Sequence, residues 1–193
     1  MARSKAFNEE VVLDKAVEMF WAKGYEATSM QDLVDAMGVQ RGSLYATFGN
    51  KQQLFLKSLN RYGVVVVEKL LEILESKPSA IESIELFFAQ LVEHLVTAGP
   101  LRSCLVTNSA IERGLSDEAT KQKVLHLLNA IEQGFYQTLL RAQENEEIAK
   151  DYNLMSLAEY LTSNMQGLLV IGKVRSERLI LESINQITLS VLR

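Results

Sequence analysis

The sequence predicts an all-α protein of about nine helices, in which a three-helix amino-terminal unit is joined by one long helix to a larger helical domain. Three observations predict it. Apolar residues recur every three or four positions through almost the whole chain, the spacing that lines one face of a helix. Only two prolines occur in 193 residues, and both, Pro78 and Pro100, fall where that periodicity breaks. Almost half of the chain (48%) is hydrophobic, which at this length suffices to bury one or two compact cores.

Asn8 offers an N-cap to the first helix, with Glu9 and Glu10 in the first turn, where negative charge complements the helix dipole. Val12, Leu13, Ala16, Val17 and Phe20 make its buried face. Gly24 ends it, and Tyr25 is placed to fold back on its last turn. Thr28 or Ser29 caps a second helix whose apolar stripe is Met30, Leu33, Val34 and Met37, with Asp32 in its first turn. Gly38 supplies the tight exit, Val39 plugs the corner, and Arg41 to Phe48 forms a third helix with Leu44 and Phe48 inward. Two short helices about a tight turn are the arrangement of a DNA-binding helix-turn-helix.

The outward side of the third helix mixes hydrogen-bonding groups with very small residues: Arg41, Gly42, Ser43, Tyr45, Ala46 and Thr47. Glycine is a poor helix former, by about 1 kcal/mol against alanine in a helix interior. Its missing side chain lets another surface come close to the backbone. Arg41 can fork onto a guanine edge, Ser43 and Thr47 can reach bases or phosphates, and the Tyr45 hydroxyl can reach a phosphate.

The segment GYEATSMQDLVDAMGVQRGSLYATFGNKQQLF resembles the DNA-binding domain of the TetR family of bacterial transcriptional regulators, over about Phe7 to Phe55. The resemblance implies that Thr28, Tyr45 and Lys51 are the phosphate anchors, and Ser29 is a further DNA-contact candidate. It also sets Arg41, Gly42 and Ser43 at the start of the recognition helix, where base edges are read. Gln40 stands where the family often has serine or threonine, so it is either a weak cap or a side chain that reaches a base. Amino-terminal arms in the family can enter the minor groove, and Arg3 in the polar stretch Met1 to Ala6 is the residue expected there.

A net charge of -4 argues against a generally cationic nucleic-acid binder, although a local patch suffices for a sequence-specific one. Basic residues do gather at Arg3, Lys5, Arg41, Lys51, Lys57 and Arg61, while Glu9, Glu10, Asp14 and Glu18 can occupy the far face of the first helix.

Asn50 caps a fourth helix from about Lys51 to Glu75, which divides the chain into a DNA-binding domain, residues 1–50, and an effector-binding and dimerisation domain, residues 51–193. The β-branched run Val64 to Val67 alone suggests a strand, but Leu70, Leu71 and Leu74 continue a helical period through it. After a break at Pro78 a fifth helix carries Ile84, Phe87, Phe88, Leu91 and Leu95 inward, and Ala98-Gly99-Pro100 stops it. The sixth spans Ser103 to Arg113. The seventh starts at Ser116, with Val124, Leu127, Leu128, Ile131, Phe135 and Leu139 as its stripe.

The last two helices, about 153–174 and 176–192, are apolar on more than one side. Leu157, Leu161, Met165 and Leu168 form one stripe while Ala158, Leu169 and Ile171 cover other directions. Ile180, Ile184, Ile187 and Val191 share the final helix with Leu181 and Leu192. Such helices are buried on several sides, which predicts a four-helix interface with a second copy. The resemblance implies the same homodimer, with two recognition helices in successive major grooves of near-palindromic double-stranded DNA.

Helices five to eight enclose the natural place for a small-molecule effector. Phe88, Leu91, His94, Asn108, Tyr136, Tyr160 and Met165 are candidate lining residues, each also readable as plain core. Cys104, in RSCLVTNSAIERG, falls near a helix amino terminus with Arg102 two residues away, a setting that favours a reactive thiolate; a lone cysteine is otherwise a small buried hydrophobe. Its motif is similar to that of a TetR subgroup, some of whose members sense electrophiles, oxidants or copper through a cysteine in this region. Those members typically have glycine where this chain has Ser103.

The lone cysteine excludes an intramolecular disulfide and fits a reducing cytosol. The start of the chain lacks a secretory pattern, and the apolar stretch 86–98 is too short to span a bilayer, so a cytoplasmic protein without membrane contact is expected. No nucleophile elbow, metalloprotease helix or phosphate-cradling loop is present, so no enzyme and no cofactor are expected. Cys104, His94 and His126 match no metal-ligand spacing. The expectation is a dimeric DNA-binding repressor released by a small molecule or by cysteine modification. The alternatives are a metal-responsive regulator of the same fold, or a helical ligand-binding module without DNA binding.

Overall fold

The computed structural model describes residues 7–97 and 104–193, and helices and short turns account for those residues, with no strand among them. Arg3, Arg102, Ser103 and the Ala98-Gly99-Pro100 stop lie outside the described residues.

The Asn8 side chain accepts from the backbone N–H groups of Glu10 at 2.9 Å and Val11 at 3.4 Å and so opens α1 (Glu9–Lys23). Helix α1 buries Val12, Ala16, Val17, Phe20 and Trp21, and the Tyr25 ring folds back to stack on Phe20 at 6.3 Å. Of the two residues offered as cap for α2 (Met30–Met37), Ser29 takes the role. Its hydroxyl accepts from Asp32 N at 3.0 Å, and the Asp32 carboxylate accepts from Ser29 N at 2.8 Å. Lys23 at the end of α1 bonds the other oxygen of that carboxylate at 2.8 Å, tying the two helices together. Gly38 leaves α2 with φ 69°, in the left-handed region that strains a residue with a Cβ. Helix α3 (Arg41–Phe48) then buries Leu44 and Phe48.

Asn50 and Gln53 form a capping box at the start of α4 (Lys51–Tyr62). Arg61, counted among the basic residues near the DNA face, is instead clamped to α1 by Asp14 at 2.6 Å and 3.1 Å, with Glu10 at 3.7 Å. The helix expected to run unbroken to residue 75 widens at the valine run. Gly63–Val67 is a π-helical turn, and α5 (Glu68–Leu74) resumes the α-helix. A Cβ on Gly63 would come within 2.8 Å of Leu127 Cδ2, so its absence lets this turn approach the helix opposite.

The second unit continues with α6 (Ala80–Thr97), α7 (Leu105–Arg113), α8 (Glu118–Glu144), α9 (Leu154–Ile171) and α10 (Arg178–Leu189), which ends in a 3₁₀ turn, Ser190–Leu192. Asp117, rather than Ser116, caps α8 by accepting from Ala119 N at 3.1 Å. The Glu147 carboxylate reaches back to cap α6, accepting from Ala80 N at 3.0 Å, Ile81 N at 2.9 Å and the Ser79 hydroxyl at 2.6 Å. Phe87 and Phe88 of α6 meet Phe135 of α8 at 5.0 Å and 5.9 Å, the aromatic centre of this core. No helix among the described residues is long and apolar enough to cross a membrane.

Candidate functional site

The outward face of α3 is built by its own period. Leu44 and Phe48 anchor the helix, which leaves Arg41, Gly42, Ser43, Tyr45 and Ala46 exposed and Thr47 half-buried. Gln40 sits at the cap position in an extended conformation but makes no side-chain cap hydrogen bond, so its amide is left to reach outward. A Cβ built on Gly42 meets nothing within 4 Å. The chain itself therefore has no steric need for glycine there. The Arg41 guanidinium lies 5.8 Å from the centre of the Tyr45 ring.

Two of the residues expected to meet DNA have other engagements. Thr28 is buried, and its hydroxyl donates to the Gly24 carbonyl at 2.6 Å. A phosphate oxygen can only accept, so a Thr28 proton committed to Gly24 is not offered to it; the side chain braces the α1–α2 turn instead. Ser29 is turned into the cap of α2. Lys51 stands at the start of α4 with its Nζ 4.2 Å over the Tyr25 ring, and Lys57 donates to the Thr47 carbonyl at 3.1 Å.

Tyr25 is also the meeting point of the two units. Arg113, at the end of α7, lies 4.4 Å over the same ring and pairs with Glu26 at 3.0 Å. The Tyr25 backbone N–H donates to the Glu112 carboxylate at 2.7 Å. Asp117 completes the group, accepting from Gln52 of α4 at 3.1 Å and Thr120 at 2.7 Å, with Arg113 at 3.4 Å. Burial alone would raise the Asp117 carboxyl, but the bonds from Thr120 and Arg113 hold it below its ordinary value and keep it ionised. The pairings of Tyr25 and Glu26 with Glu112 and Arg113, and of Gln52 with Asp117, join residues far apart in the chain, and no local pattern announces them.

At the other end of α7 a cavity of about 230 Å³ opens where the two units meet. Trp21 of α1, Tyr62 of α4, and Val66 and Val67 of the π turn line one side, continued by Leu70 of α5. Gln90, Leu91 and His94 of α6, Cys104 and Val106 around the start of α7, Ile131 of α8, and Met165 and Leu169 of α9 close it. The structure thus brings together Cys104, Leu91, His94 and Met165 of the candidate lining residues. It leaves out four. Phe88 is fully enclosed in the aromatic core, and Asn108 accepts from Lys173 in a separate groove. Tyr136 and Tyr160 pack half-buried against the core and do not line the cavity.

Cys104 occupies the cap position of α7 and is 5% exposed. The Tyr62 hydroxyl faces its sulfur at 3.9 Å. Burial, and then the neighbouring sulfur, hold the Tyr62 hydroxyl well above its ordinary pKa, so it stays a neutral donor. Trp21 stands edge-on to Tyr62 with ring centres 5.1 Å apart. Among the described residues no group of three or more His, Cys, Asp or Glu could hold a metal ion.

A helix-turn-helix with an open recognition helix, coupled through α1, α4 and α7 to a helical unit with its own cavity, defines a DNA-binding transcriptional regulator. Residues 12–57 match the family model described as bacterial regulatory proteins, tetR family, and residues 80–186 match the tetracyclin repressor-like C-terminal domain. The chain belongs to the TetR family of bacterial regulators. It is 35% identical over its full length, and the full length of the relative, to the HTH-type transcriptional regulator YezE of Bacillus subtilis (strain 168). It is 32% identical to the HTH-type transcriptional repressor ComR of Escherichia coli (strain K12), over 99% of this chain and 90% of that one. Among solved structures, a cysteine mutant of the TetR-family regulator CifR, complexed with 26-base-pair operator DNA, superposes with a TM-score of 0.86. That match is at 27% identity over 97% of this chain and 98% of the other.

Proposed function

We propose that this chain is a homodimeric repressor that holds a near-palindromic operator through α3 and releases it when its cavity is filled or Cys104 is modified. Residues 1–50 form the DNA-binding domain and residues 51–193 the effector-binding and dimerisation domain. The observation that carries the reading is the α3 face, where Gly42 is bare with nothing of its own chain to accommodate. Arg41, Ser43 and Gln40 read bases, while Tyr45 and Lys51 contact phosphates.

The dimer reading is supported by apolar side chains that α9 and α10 leave uncovered, Leu179 at 81% and Ile187 at 67% exposure among them. A ligand in the cavity bears on α1 and α4 at once. Its occupancy favours a subunit arrangement in which the two recognition helices no longer match successive grooves. The repressor ComR and the CifR–operator complex support the sign and the target of this reading.

The test is fluorescence-anisotropy binding to DNA upstream of this protein's own gene, at fixed moderate salt. Wild type and Cys104→Ser are each measured with and without a mild thiol-reactive electrophile. Release of the wild type alone identifies Cys104 as the sensor. Tight binding by both, with no response, leaves the repressor reading in place and makes a non-covalent ligand the signal. Failure of both to bind that DNA and a selected pool of duplexes refutes the reading.

A further inference from the structure

We infer that the cavity takes a small uncharged molecule bearing a hydrogen-bond acceptor such as a carbonyl oxygen, and that the indole N–H of Trp21 is the donor that selects it. The inference rests on the reading of the cavity as the effector site and names the chemistry of what enters it.

The wall chemistry sets the charge. Among the described residues that line the cavity there is no Asp, Glu, Lys or Arg, and most side chains are aliphatic or aromatic. An ionised ligand would lose its hydration with no carboxylate, ammonium or guanidinium among those lining residues to meet it. The volume sets the size. An apolar cavity of roughly 150 Å³ accommodates benzene, so about 230 Å³ suits one substituted ring.

Trp21 sets the polar requirement. Trp21 is 9% exposed, and its Nε1 is buried with no acceptor among the described residues. Indole nitrogen can only donate, and a buried donor left unpaired is costly. The ring is held edge-on by Tyr62 at 5.1 Å and in parallel by His94 at 6.2 Å, so it has little freedom to turn toward water. A ligand that brings an acceptor relieves this donor, while a hydrocarbon of the same shape fills the space and leaves it unpaired. The selecting residue is therefore part of α1, within the DNA-binding domain. Two residues further on, Lys23 bonds the Asp32 carboxylate that caps α2. An acceptor on Trp21 thus pulls directly on the helix that positions the helix-turn-helix.

The test uses the full chain, whose one tryptophan yields a single indole N–H resonance. Three probes of one ring are titrated: acetophenone, α-methylstyrene, in which CH₂ replaces the oxygen, and benzoate. Acetophenone is expected to bind roughly tenfold more tightly than α-methylstyrene, and benzoate not measurably. Acetophenone alone should move the indole proton downfield. Trp21→Phe should bring the two neutral affinities together while still binding α-methylstyrene; the wild-type comparison stands without that variant. Equal affinities for the two neutral probes, or an indole proton that acetophenone leaves in place, overturn the role of Trp21 and leave the cavity reading standing. If none of the three binds, the cavity reading falls and this inference with it.

Discussion

Replacing Gly42 with alanine should strengthen the fold and weaken the complex with DNA at the same time. Gly42 is the second residue of α3, its backbone is helical, and a Cβ there meets nothing within 4 Å. Alanine is favoured over glycine by about 1 kcal/mol in a helix interior and by roughly half that so close to an end. A gain of about 0.5 kcal/mol corresponds to a melting midpoint roughly 1–2 °C higher for a chain of this length. In the proposed operator complex the same methyl group would stand between the recognition-helix backbone and the base edges. Displacing one good base contact costs about 1–3 kcal/mol, or roughly 5- to 150-fold in Kd. Thermal denaturation and anisotropy titration, at one salt concentration throughout, read the two effects separately. A higher midpoint with unchanged operator affinity would show that this face of α3 stays solvated, and the close-approach argument would be wrong. A lower midpoint would contradict the free space around Gly42.

Other outcomes follow from the same geometry. Arg41→Ala should relax base preference, whereas Lys51→Ala or Tyr45→Phe should weaken cognate and random duplex alike; equal loss on both from Arg41→Ala removes its base-reading role. Ile187→Asp places a carboxylate on the uncovered apolar face of α10 and should halve the mass seen by light scattering, and an unchanged mass would move the dimer interface elsewhere. Glu147 gives an acid-sensitive element. Burial would raise its carboxyl, but the bonds from the Ile81 and Ala80 backbone, Ser79 and Asn145 hold it down at about 2, against 4.5 ordinarily. Its stabilisation is therefore complete above pH 4.5 and is lost as pH falls toward about 2. The drop corresponds to at most about 3 kcal/mol, and solvent screening at this partly exposed group reduces that to roughly 1 kcal/mol. Glu147→Gln should flatten the pH dependence of the melting midpoint across that window, and an unchanged slope would show that the cap contributes nothing.

The helices and the open face of α3 were legible because their causes are local. Asn8, the Ser29–Asp32 pair, Asn50 and Asn153 start their helices with groups no more than three residues from the N–H they satisfy, and Gly38 ends α2 through its own φ. Periodicity alone put Leu44 and Phe48 inside α3 and the small and polar residues outside. The valine run was ambiguous for an equally local reason, since β-branched residues suit a strand, and neighbouring turns resolved it into a π turn within a helix.

The sequence by itself therefore determined the class of fold, the order of the helices and the face of α3 that the fold leaves open. The tertiary structure decided the rest. Phe88 and Leu91 lie one turn apart on the same stripe of α6, yet Phe88 is closed in by Phe87 and Phe135 while Leu91 borders the cavity. Thr28 presents a hydroxyl in sequence, and the fold of the α1–α2 turn commits it to Gly24. The period of α1 singles out nothing about Trp21; α4, α6 and α7 arrange Tyr62, His94 and Cys104 around it. Spacing along a helix decides which way a side chain faces. Whether it then meets a neighbour, a cavity or solvent depends on how several helices pack together, which only the folded chain determines.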